Sequence, residues 1–170
     1  MITRVTIQDD FTVLAKLLNG AFATVAKEFG LTKENTPTNN AFISNEALQS
    51  QLTENKEFYY YEDKGNIIGF IAIEKSSKEP DTFYIEKIAV LPGYRHKGIG
   101  RLLMDFTTKR IQELNGKRIS IGLIDSNTIL KSWYQAQGFN EFEIKSFDHL
   151  PFDVCMMEKT INQPPFIVKF

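Results

Sequence analysis

This sequence contains few cysteines and histidines and has almost no net charge. The 170 residues include one cysteine and two histidines, and 20 basic residues against 21 acidic ones leave a net charge of −1. One cysteine cannot form an internal disulfide. Because the cysteine and the two histidines do not have the spacing of metal ligands, we also expect that the protein holds no metal. The balanced charge gives no general reason to bind nucleic acid, so any anion site has to be local.

Long apolar runs and export signals are missing as well. The longest apolar run, residues 67–73, is far shorter than the roughly 20 residues of a membrane span. The opening residues, MITRVTIQDD, lack a basic segment followed by an apolar one, so we expect a cytoplasmic protein that does not enter the membrane. With 42% apolar residues the chain can bury one core, which predicts a single domain over residues 1–160 and an apolar tail over 161–170.

The spacing of apolar residues predicts alternating strands and helices. Strands are predicted over residues 2–7, 58–62, 67–74, 82–90, 118–124, 139–147 and 152–159. Helical spacing begins after Asp9 or Asp10, after Ser44, from Ile99 and from Asn127. This order favours a mixed α/β sheet over an all-parallel one.

The segment LPGYRHKGIGRLL, residues 91–103, joins an apolar strand to a helix and carries glycines and basic side chains. A helix N-terminus presents free N–H groups and a partial positive charge, and Gly98 and Gly100 let a phosphate approach closely, so the segment predicts an anion site. A P-loop is disfavoured because Ile99 and Gly100 stand where lysine and serine or threonine are required. A dinucleotide fingerprint is disfavoured because Leu103 stands where a small residue is needed.

A second group of residues completes the pattern. Arg95 opens an R-x-x-G-x-G motif directly after IEKIAV, and the next strand is followed by Asn127, then Tyr134 seven residues later, then Gly-Phe at 138–139. This arrangement, matched in detail over residues 55–140, resembles the GNAT superfamily of acyl-CoA-dependent N-acyltransferases, whose pyrophosphate-binding signature is Q/R-x-x-G-x-G/A at the end of the fourth strand. The resemblance implies a single-domain α/β fold with a mixed, mostly antiparallel sheet flanked by helices and strands four and five splayed around the cofactor.

The resemblance also implies acetyl-CoA as cosubstrate and a primary amine as acceptor. The implied cofactor-binding residues are Ile88, Ala89, Val90, Arg95, His96, Lys97, Gly98, Ile99, Gly100, Arg101, Asn127 and Tyr134. In the family, the strand backbone, here residues 88–90, pairs with the pantetheine arm. His96, Lys97 and Arg101 are expected to add charge near the pyrophosphate or the 3′-phosphate. Asn127 is interpreted as a helix N-cap, a ligand contact or both.

Direct transfer needs a proton acceptor for the amine, a donor to the carbonyl oxygen and a proton source for the thiolate. Tyr134 is the candidate acid, and the Val90 N–H is the candidate donor. Some family members carry a glutamate five residues before Asn127, where this sequence has Gly122. Glu86 is then the candidate base, and in a regular strand it lies on the same face as Val90. The alternative for Glu86 is a surface ion pair with a neighbouring lysine.

One other mechanism and two other functions are compatible with parts of the sequence. Cys155 with His149 as base would permit a ping-pong mechanism, but VCMMEK is typical of a buried strand, where a lone cysteine packs as a small apolar residue. A catalytically silent module would bind acyl-CoA through residues 88–101 without transferring the group. A protein-interaction domain would bind a phosphorylated partner at the RHKGIGR loop.

The acceptor is left open between a small-molecule amine, a peptide N-terminus and a lysine. Residues 29–40 and 147–153 are the predicted walls of its cleft. Four nearby acidic residues suggest a cationic acceptor: Glu141, Glu143, Asp148 and Asp153. The tail NQPPFIVKF places large apolar residues after two prolines, so we expect it to pack on the domain or on a partner in a homodimer.

Overall fold

The computed structural model describes residues 1–162, in which seven strands form one sheet with helices on both faces. The strands are β1 (Ile2–Arg4), β2 (Lys56–Asp63), β3 (Asn66–Lys75), β4 (Thr82–Val90), β5 (Arg118–Ile124), β6 (Asn140–Lys145) and β7 (Val154–Thr160), and the helices are α1 (Phe11–Glu28), α2 (Asn45–Ser50), α3 (Ile99–Glu113) and α4 (Thr128–Ala136). The strand order is β1-β2-β3-β4-β5-β7-β6, and within it β4 and β5 are the one parallel pair. The predicted mixed, mostly antiparallel sheet is confirmed.

Each face of the sheet has its own apolar core. On the face covered by α1 and α2, here called the α1 face, Leu18 and Leu48 pack with Phe70 of β3. On the face covered by α3 and α4, the α3 face, Leu103 and Tyr134 are buried in a second core. The sheet is therefore enclosed by helices on both sides.

Strands β4 and β5 separate along their length. Their parallel pairing covers Thr82, Phe83 and Tyr84 of β4, and in the described residues it extends no further. From Ile85 onward, β4 is paired with β3 alone. The predicted splay of strands four and five is confirmed, and it leaves the inner edge of β4 free for another hydrogen-bonding partner.

A β-bulge interrupts β4 beside this opening. Ala72 of β3 pairs with Glu86, whereas Phe70, two residues earlier, pairs with Ala89, three residues later, so β4 carries one extra residue. Lys87 at this point has a φ of 55°. A non-glycine residue seldom adopts such a left-handed conformation, and it is typical of the extra residue in a bulge.

The bulge changes the face on which Glu86 lies. Cross-strand partners point to the same side of a sheet, so Glu86 shares the α1 face with Ala89, which is buried in the core beneath α1. Val90 packs instead against the core of the α3 face. The expectation that Glu86 and Val90 share a face is therefore wrong, because it assumed a regular strand.

Two further predictions concern the apolar tail and membrane-spanning segments. The expected packing of the apolar tail concerns mainly residues 163–170, which lie outside the described residues. In residues 1–162, the helices are all too short or too polar to cross a membrane.

Candidate active site

A cavity of about 890 Å³ opens where β4 and β5 separate. It extends from the loop before α3, past both splayed strands, to α1 and Phe152. The predicted site residues that line it are Glu86, Ile88, Ala89, Val90, Arg95, His96, Gly98, Ile99, Gly100, Arg101, Asn127 and Tyr134. The fold thus brings every predicted site residue except Lys97 to the wall of one cavity.

The start of α3 points free backbone N–H groups at this cavity. Gly98 caps the helix with a φ of 82°, a conformation that glycine adopts without steric cost. The first backbone hydrogen bond of α3 runs from the N–H of Leu102 to the carbonyl of Gly98 at 3.0 Å. Ahead of it, the N–H groups of residues 99–101 have no partner in the described chain, and together with the helix dipole they favour a negatively charged ligand.

The two glycines of the motif are needed for different reasons. A side chain at Gly98 would begin in open space, with no atom within 4 Å of its Cβ. A Cβ at Gly100 would lie 3.3 Å from the ring of Trp133 on α4. Gly100 therefore permits close packing of α3 on α4, a requirement that the sequence motif does not reveal.

The Arg95 side chain makes three hydrogen bonds within the protein. Its Nε donates to the Val90 carbonyl at 3.0 Å, and its two terminal nitrogens donate to Thr24 Oγ1 at 3.0 Å and to the Ala21 carbonyl at 2.6 Å. These bonds tie the end of β4 to α1. The motif arginine thus shapes the loop, although the resemblance implied a cofactor contact.

The remaining basic residues of the loop differ in position. Lys97 lies 5.4 Å above the ring of Tyr94 and lines a separate, smaller pocket beside the β2–β3 hairpin, so its predicted place in the main site is not supported. His96 and Arg101 are exposed at the cavity rim. Arg101 also pairs with Asp105 one helical turn away at 3.8 Å.

The backbone of Val90 faces the opening between the strands. The next residue, Leu91, donates its N–H to the Ile68 carbonyl on the β3 side at 2.9 Å. Alternate residues of a strand direct their N–H and C=O groups to opposite sides, so the groups of Val90 point away from β3. Its carbonyl accepts the bond from Arg95, and its N–H is directed into the gap.

Helix α4 presents two polar groups to the cavity. Asn127 caps the helix by accepting a hydrogen bond from the Leu130 N–H at 3.2 Å, which confirms the capping interpretation. Tyr134 is buried between Trp133 and Phe139, with ring centroids 5.1 and 5.6 Å away. Its hydroxyl makes no hydrogen bond to residues 1–162, and the residue lines the cavity. Burial raises the pKa of Tyr134, so the hydroxyl is protonated and can donate.

Glu86 lines the cavity from the α1 face and is surrounded by charge. Its carboxylate lies 3.1 Å from Lys56 Nζ and 3.6 Å from Lys87 Nζ. Burial acts to raise the pKa of Glu86, but the positive charges of Lys87 and Lys56 outweigh it, and the pKa lies below its ordinary value. Glu86 thus both forms an ion pair with a lysine and lines the cavity. Because its pKa is lowered, Glu86 is an ionised carboxylate at neutral pH.

Comparison with known proteins assigns this arrangement to a family. The sequence profile of the acetyltransferase (GNAT) family matches residues 21–139. The chain belongs to this family. It is therefore an acyltransferase of the acetyl-CoA-dependent N-acetyltransferase class, as the sequence predicts.

Relatives of this GNAT protein are distant in sequence and close in fold. It is 24% identical over 130 residues, 70% of this chain and 74% of the other, to an uncharacterised N-acetyltransferase in the pepI 3′ region of Lactobacillus delbrueckii subsp. lactis. The ribosomal-protein-S18-alanine N-acetyltransferase of Escherichia coli superposes with a TM-score of 0.75 at 18% identity, covering 100% of this chain and 99% of that one. An aminoglycoside 6′-N-acetyltransferase in complex with coenzyme A gives 0.69 at 16% identity, covering 96% and 99%.

The single cysteine of this acetyltransferase is buried away from the cavity. Cys155 Sγ donates to Glu141 Oε1 at 3.0 Å, and burial raises the pKa of its thiol to about 11. Its side chain does not line the cavity, and neither does His149, whose ring packs at a tilt against Phe147 with ring centroids 5.6 Å apart. Cys155 is therefore unsuited to be the nucleophile of a ping-pong reaction.

Sequence reasoning missed the charged cluster around this cysteine. Ligand atoms of Asp125, Glu141 and Cys155 lie within 4.8 Å of one another, a grouping that could hold a metal ion. The Lys131 ammonium lies 2.7 Å from both carboxylates. The lysine already supplies the positive charge that the two carboxylates require, and it ties α4 to β5 and β6.

The two segments predicted to wall the acceptor cleft line the cavity only in part. Residues 38–40 and Phe152, from the two predicted walls, line it together with Phe22 and Val25 of α1. The four acidic residues taken as a sign of a cationic acceptor, Glu141, Glu143, Asp148 and Asp153, do not. The carboxylate that α1 contributes is Glu28, which the sequence did not single out.

Proposed function

We propose that this chain transfers the acetyl group of acetyl-CoA to a primary amine by direct attack within a ternary complex. One observation carries the proposal. A single cavity passes through the opening between β4 and β5, with the anion site at the start of α3 on one side and the α1 wall with Glu86 on the other. Two substrates that enter from opposite sides therefore meet between the strands.

The cofactor side offers groups that suit coenzyme A. The free N–H groups at the start of α3 fit the pyrophosphate, since an anion there is stabilised by the helix dipole and by hydrogen bonds. The unpaired inner edge of β4 can hydrogen-bond the amide groups of the pantetheine arm as another strand would. The Asn127 side chain, already fixed as a helix cap, adds a polar contact with its amide nitrogen.

The proposed reaction divides three tasks among three groups. The amine nitrogen attacks the thioester carbon, a C–N bond forms, and the C–S bond then breaks. Glu86 accepts the proton that the nitrogen loses. The Val90 N–H donates to the carbonyl oxygen as negative charge develops on it. Tyr134 donates a hydrogen bond to the sulfur as it becomes a thiolate.

The sole thiol of the chain gives no support to the rival ping-pong route, because Cys155 lies outside the cavity wall. The acceptor cleft combines apolar α1 side chains with polar residues 38–40 and one carboxylate, Glu28. This composition suits an amine with an apolar body. The named structural neighbours act on a protein alanine or an aminoglycoside, so both classes of amine belong in the test.

The decisive experiment is a thiol-release screen with acetyl-CoA over amino acids, polyamines, aminoglycosides and peptides. Acetyl-CoA affinity is measured separately by calorimetry. We expect micromolar binding and release of thiol with at least one amine, and Glu86→Gln should bind acetyl-CoA normally but lose most turnover. Binding without any thiol release would indicate a silent module. Failure to bind acetyl-CoA would overturn the cofactor site.

We further propose that the protein acts in the cytoplasm as a homodimer. The edge strand β6 and the following turn expose Phe142, Ile144 and Phe147 at 49%, 58% and 40%, and edge strands with exposed apolar residues favour pairing with another chain. Sedimentation velocity should give a dimer, and Ile144→Lys should shift it toward monomer. A monomer at all concentrations, unchanged by this substitution, would contradict the proposal.

A further inference from the structure

Glu86 is held from two sides by lysines. Lys56 Nζ lies 3.1 Å from its Oε2, and Lys87 Nζ lies 3.6 Å from the same atom. Lys56 also bonds the carboxylate of Glu74 at 3.2 Å. Lys87 lines the cavity whereas Lys56 does not, so Lys56 reaches Glu86 from outside the space that substrates occupy.

The position of Lys56 is set by the sheet. Lys56 pairs across the strands with Glu74, and Glu74 pairs with Tyr84 of β4. Glu86 follows Tyr84 by two residues and lies on the same face. The Lys56 ammonium therefore lies between the carboxylates of Glu74 and Glu86. Only 13% of the Lys56 side chain is exposed. Because the strand register and two ion pairs already fix the Lys56 side chain, it loses little further conformational entropy when it orients Glu86.

We propose that Lys56 is a positioning residue for this acetyltransferase, whose ammonium group fixes the Glu86 carboxylate at the cavity wall and keeps it ionised. This inference rests on the proposed role of Glu86 as proton acceptor. Lys56 is itself not catalytic, since it touches neither substrate space nor reacting atoms.

The charges around Glu86 support this assignment. The charged groups bonded to Glu86 are Lys56 from β2 and Lys87 from its own strand, and Glu74 from β3 shares Lys56 with it. The other charged or titratable residues of the cavity wall are Glu28 of α1, Tyr84 of β4, Tyr94, Arg95 and His96 of the loop before α3, Arg101 of α3 and Tyr134 of α4. The stretch of β5 that lines the cavity, residues 120–124, carries no charge. Burial alone would favour the protonated form of Glu86, and the two ammonium groups reverse this preference. Without Lys56, only one of these two ammonium groups, that of Lys87, still favours the ionised form of Glu86, whereas burial still favours the protonated form.

The test is the pH dependence of kcat/KM, calculated on the concentration of neutral acceptor so that the titration of the amine itself is removed. In Lys56→Met, the acid limb should move to higher pH. At a pH on that limb, kcat/KM should fall about tenfold below wild type, the size expected for losing one close opposite charge. On the neutral plateau the two enzymes should agree within about threefold. Lys56→Arg keeps the charge and should keep the limb, and Lys75→Met, at the exposed end of β3, serves as the matched control.

Two results would overturn the inference: an unmoved acid limb in Lys56→Met, or a loss by the same factor at every pH. If Lys56→Met does not fold, Lys56→Gln replaces it. The carboxyl carbon of Glu86, followed by NMR titration of ¹³C-labelled protein, reports the same displacement without any activity measurement. Glu86→Gln separates the two proposals. If it retains the acid limb, Glu86 is not the proton acceptor, whereas the NMR titration still decides whether Lys56 holds its carboxylate.

Discussion

Tyr134→Phe tests the leaving-group side of the proposed reaction most directly. The substitution keeps the ring that packs between Trp133 and Phe139 and removes only the hydroxyl. Because this hydroxyl makes no hydrogen bond to residues 1–162, its loss leaves no described protein group without a partner. We expect the free energy of unfolding to change by less than about 0.5 kcal/mol, as for substitutions away from packing and hydrogen-bond networks.

The size of the catalytic loss follows from what the hydroxyl can do. A phenol with its ordinary pKa of about 10 is already a weaker acid than a thiol at about 8.5, and burial raises the pKa of Tyr134 further. Full proton transfer to the thiolate is therefore unfavourable by more than about 2 kcal/mol. A hydrogen bond to the developing thiolate is still worth about 1.5 to 3 kcal/mol. Its removal should slow the chemical step about 10- to 150-fold.

The assay is single-turnover thiol release with saturating acetyl-CoA and acceptor, which isolates the chemical step. Since the phenol stays protonated below its ordinary pKa, the variant should lower the height of the pH–rate profile below pH 9 without changing its shape. Acetyl-CoA affinity should be retained. Tyr60→Phe, on β2 outside the cavity, is the matched control. A wild-type single-turnover rate in Tyr134→Phe would refute the assignment of this hydroxyl to the sulfur.

Four further substitutions separate structural from functional roles. Gly98→Val should abolish acetyl-CoA binding by calorimetry and also lower the melting temperature, because a β-branched residue is strained at a φ of 82°. Gly100→Val should lower the melting temperature because its side chain meets Trp133, and a wild-type melting temperature in Gly100→Val would contradict that contact. Cys155→Ala should retain more than about half of wild-type turnover once stability is matched, and a complete loss would revive the ping-pong route. Glu57→Gln should destabilise the fold by about 2 kcal/mol at pH 7 in denaturant unfolding. Hydrogen bonds from Arg110 hold the pKa of Glu57 below 4.5, so its contribution to stability is full above that pH and is lost as the pH falls through the lowered pKa. A difference from wild type that does not shrink at all as the pH falls below 4.5 would refute this linkage.

The sequence predicted those parts of the fold whose determinants are local. The bounds of β4 and β5 were predicted to the residue, because each is an apolar run ended by turn-forming or capping residues. Asn127 was recognised as a helix cap for the same reason, since a side-chain cap acts within four residues of itself. Gly98 was singled out by the motif and by the need for close approach of a phosphate, and its role as a left-handed cap was not predicted. The prediction of an anion site followed from the motif and from the start of the helix.

The features that could not be predicted depend on contacts distant in the sequence. The Arg95 side chain bonds to α1 more than 70 residues away, and the need for glycine at position 100 comes from Trp133 on another helix. The bulge at Lys87 carries no glycine that would have marked it. Its extra residue is visible only when β4 is aligned with β3. One such residue reverses the face of every side chain before it relative to those after it.

That reversal determines how the reaction can be arranged. In a regular β4, Glu86 would point to the α3 face with Val90, the side on which Tyr134 is buried, so the proton acceptor and the thiolate donor would share one side of the sheet. With the bulge, Glu86 lies on the α1 face, Tyr134 lies on the α3 face, and the Val90 N–H points between the strands. Attack on a thioester needs the amine on one side of the carbonyl carbon, the carbonyl oxygen held by a donor, and the sulfur free to depart in another direction. In the proposed reaction the bulge places Glu86 on the side of the sheet opposite Tyr134, so that each direction has its own group, and this gives a physical reason for a lysine to occupy a left-handed conformation that costs about 1 to 2 kcal/mol.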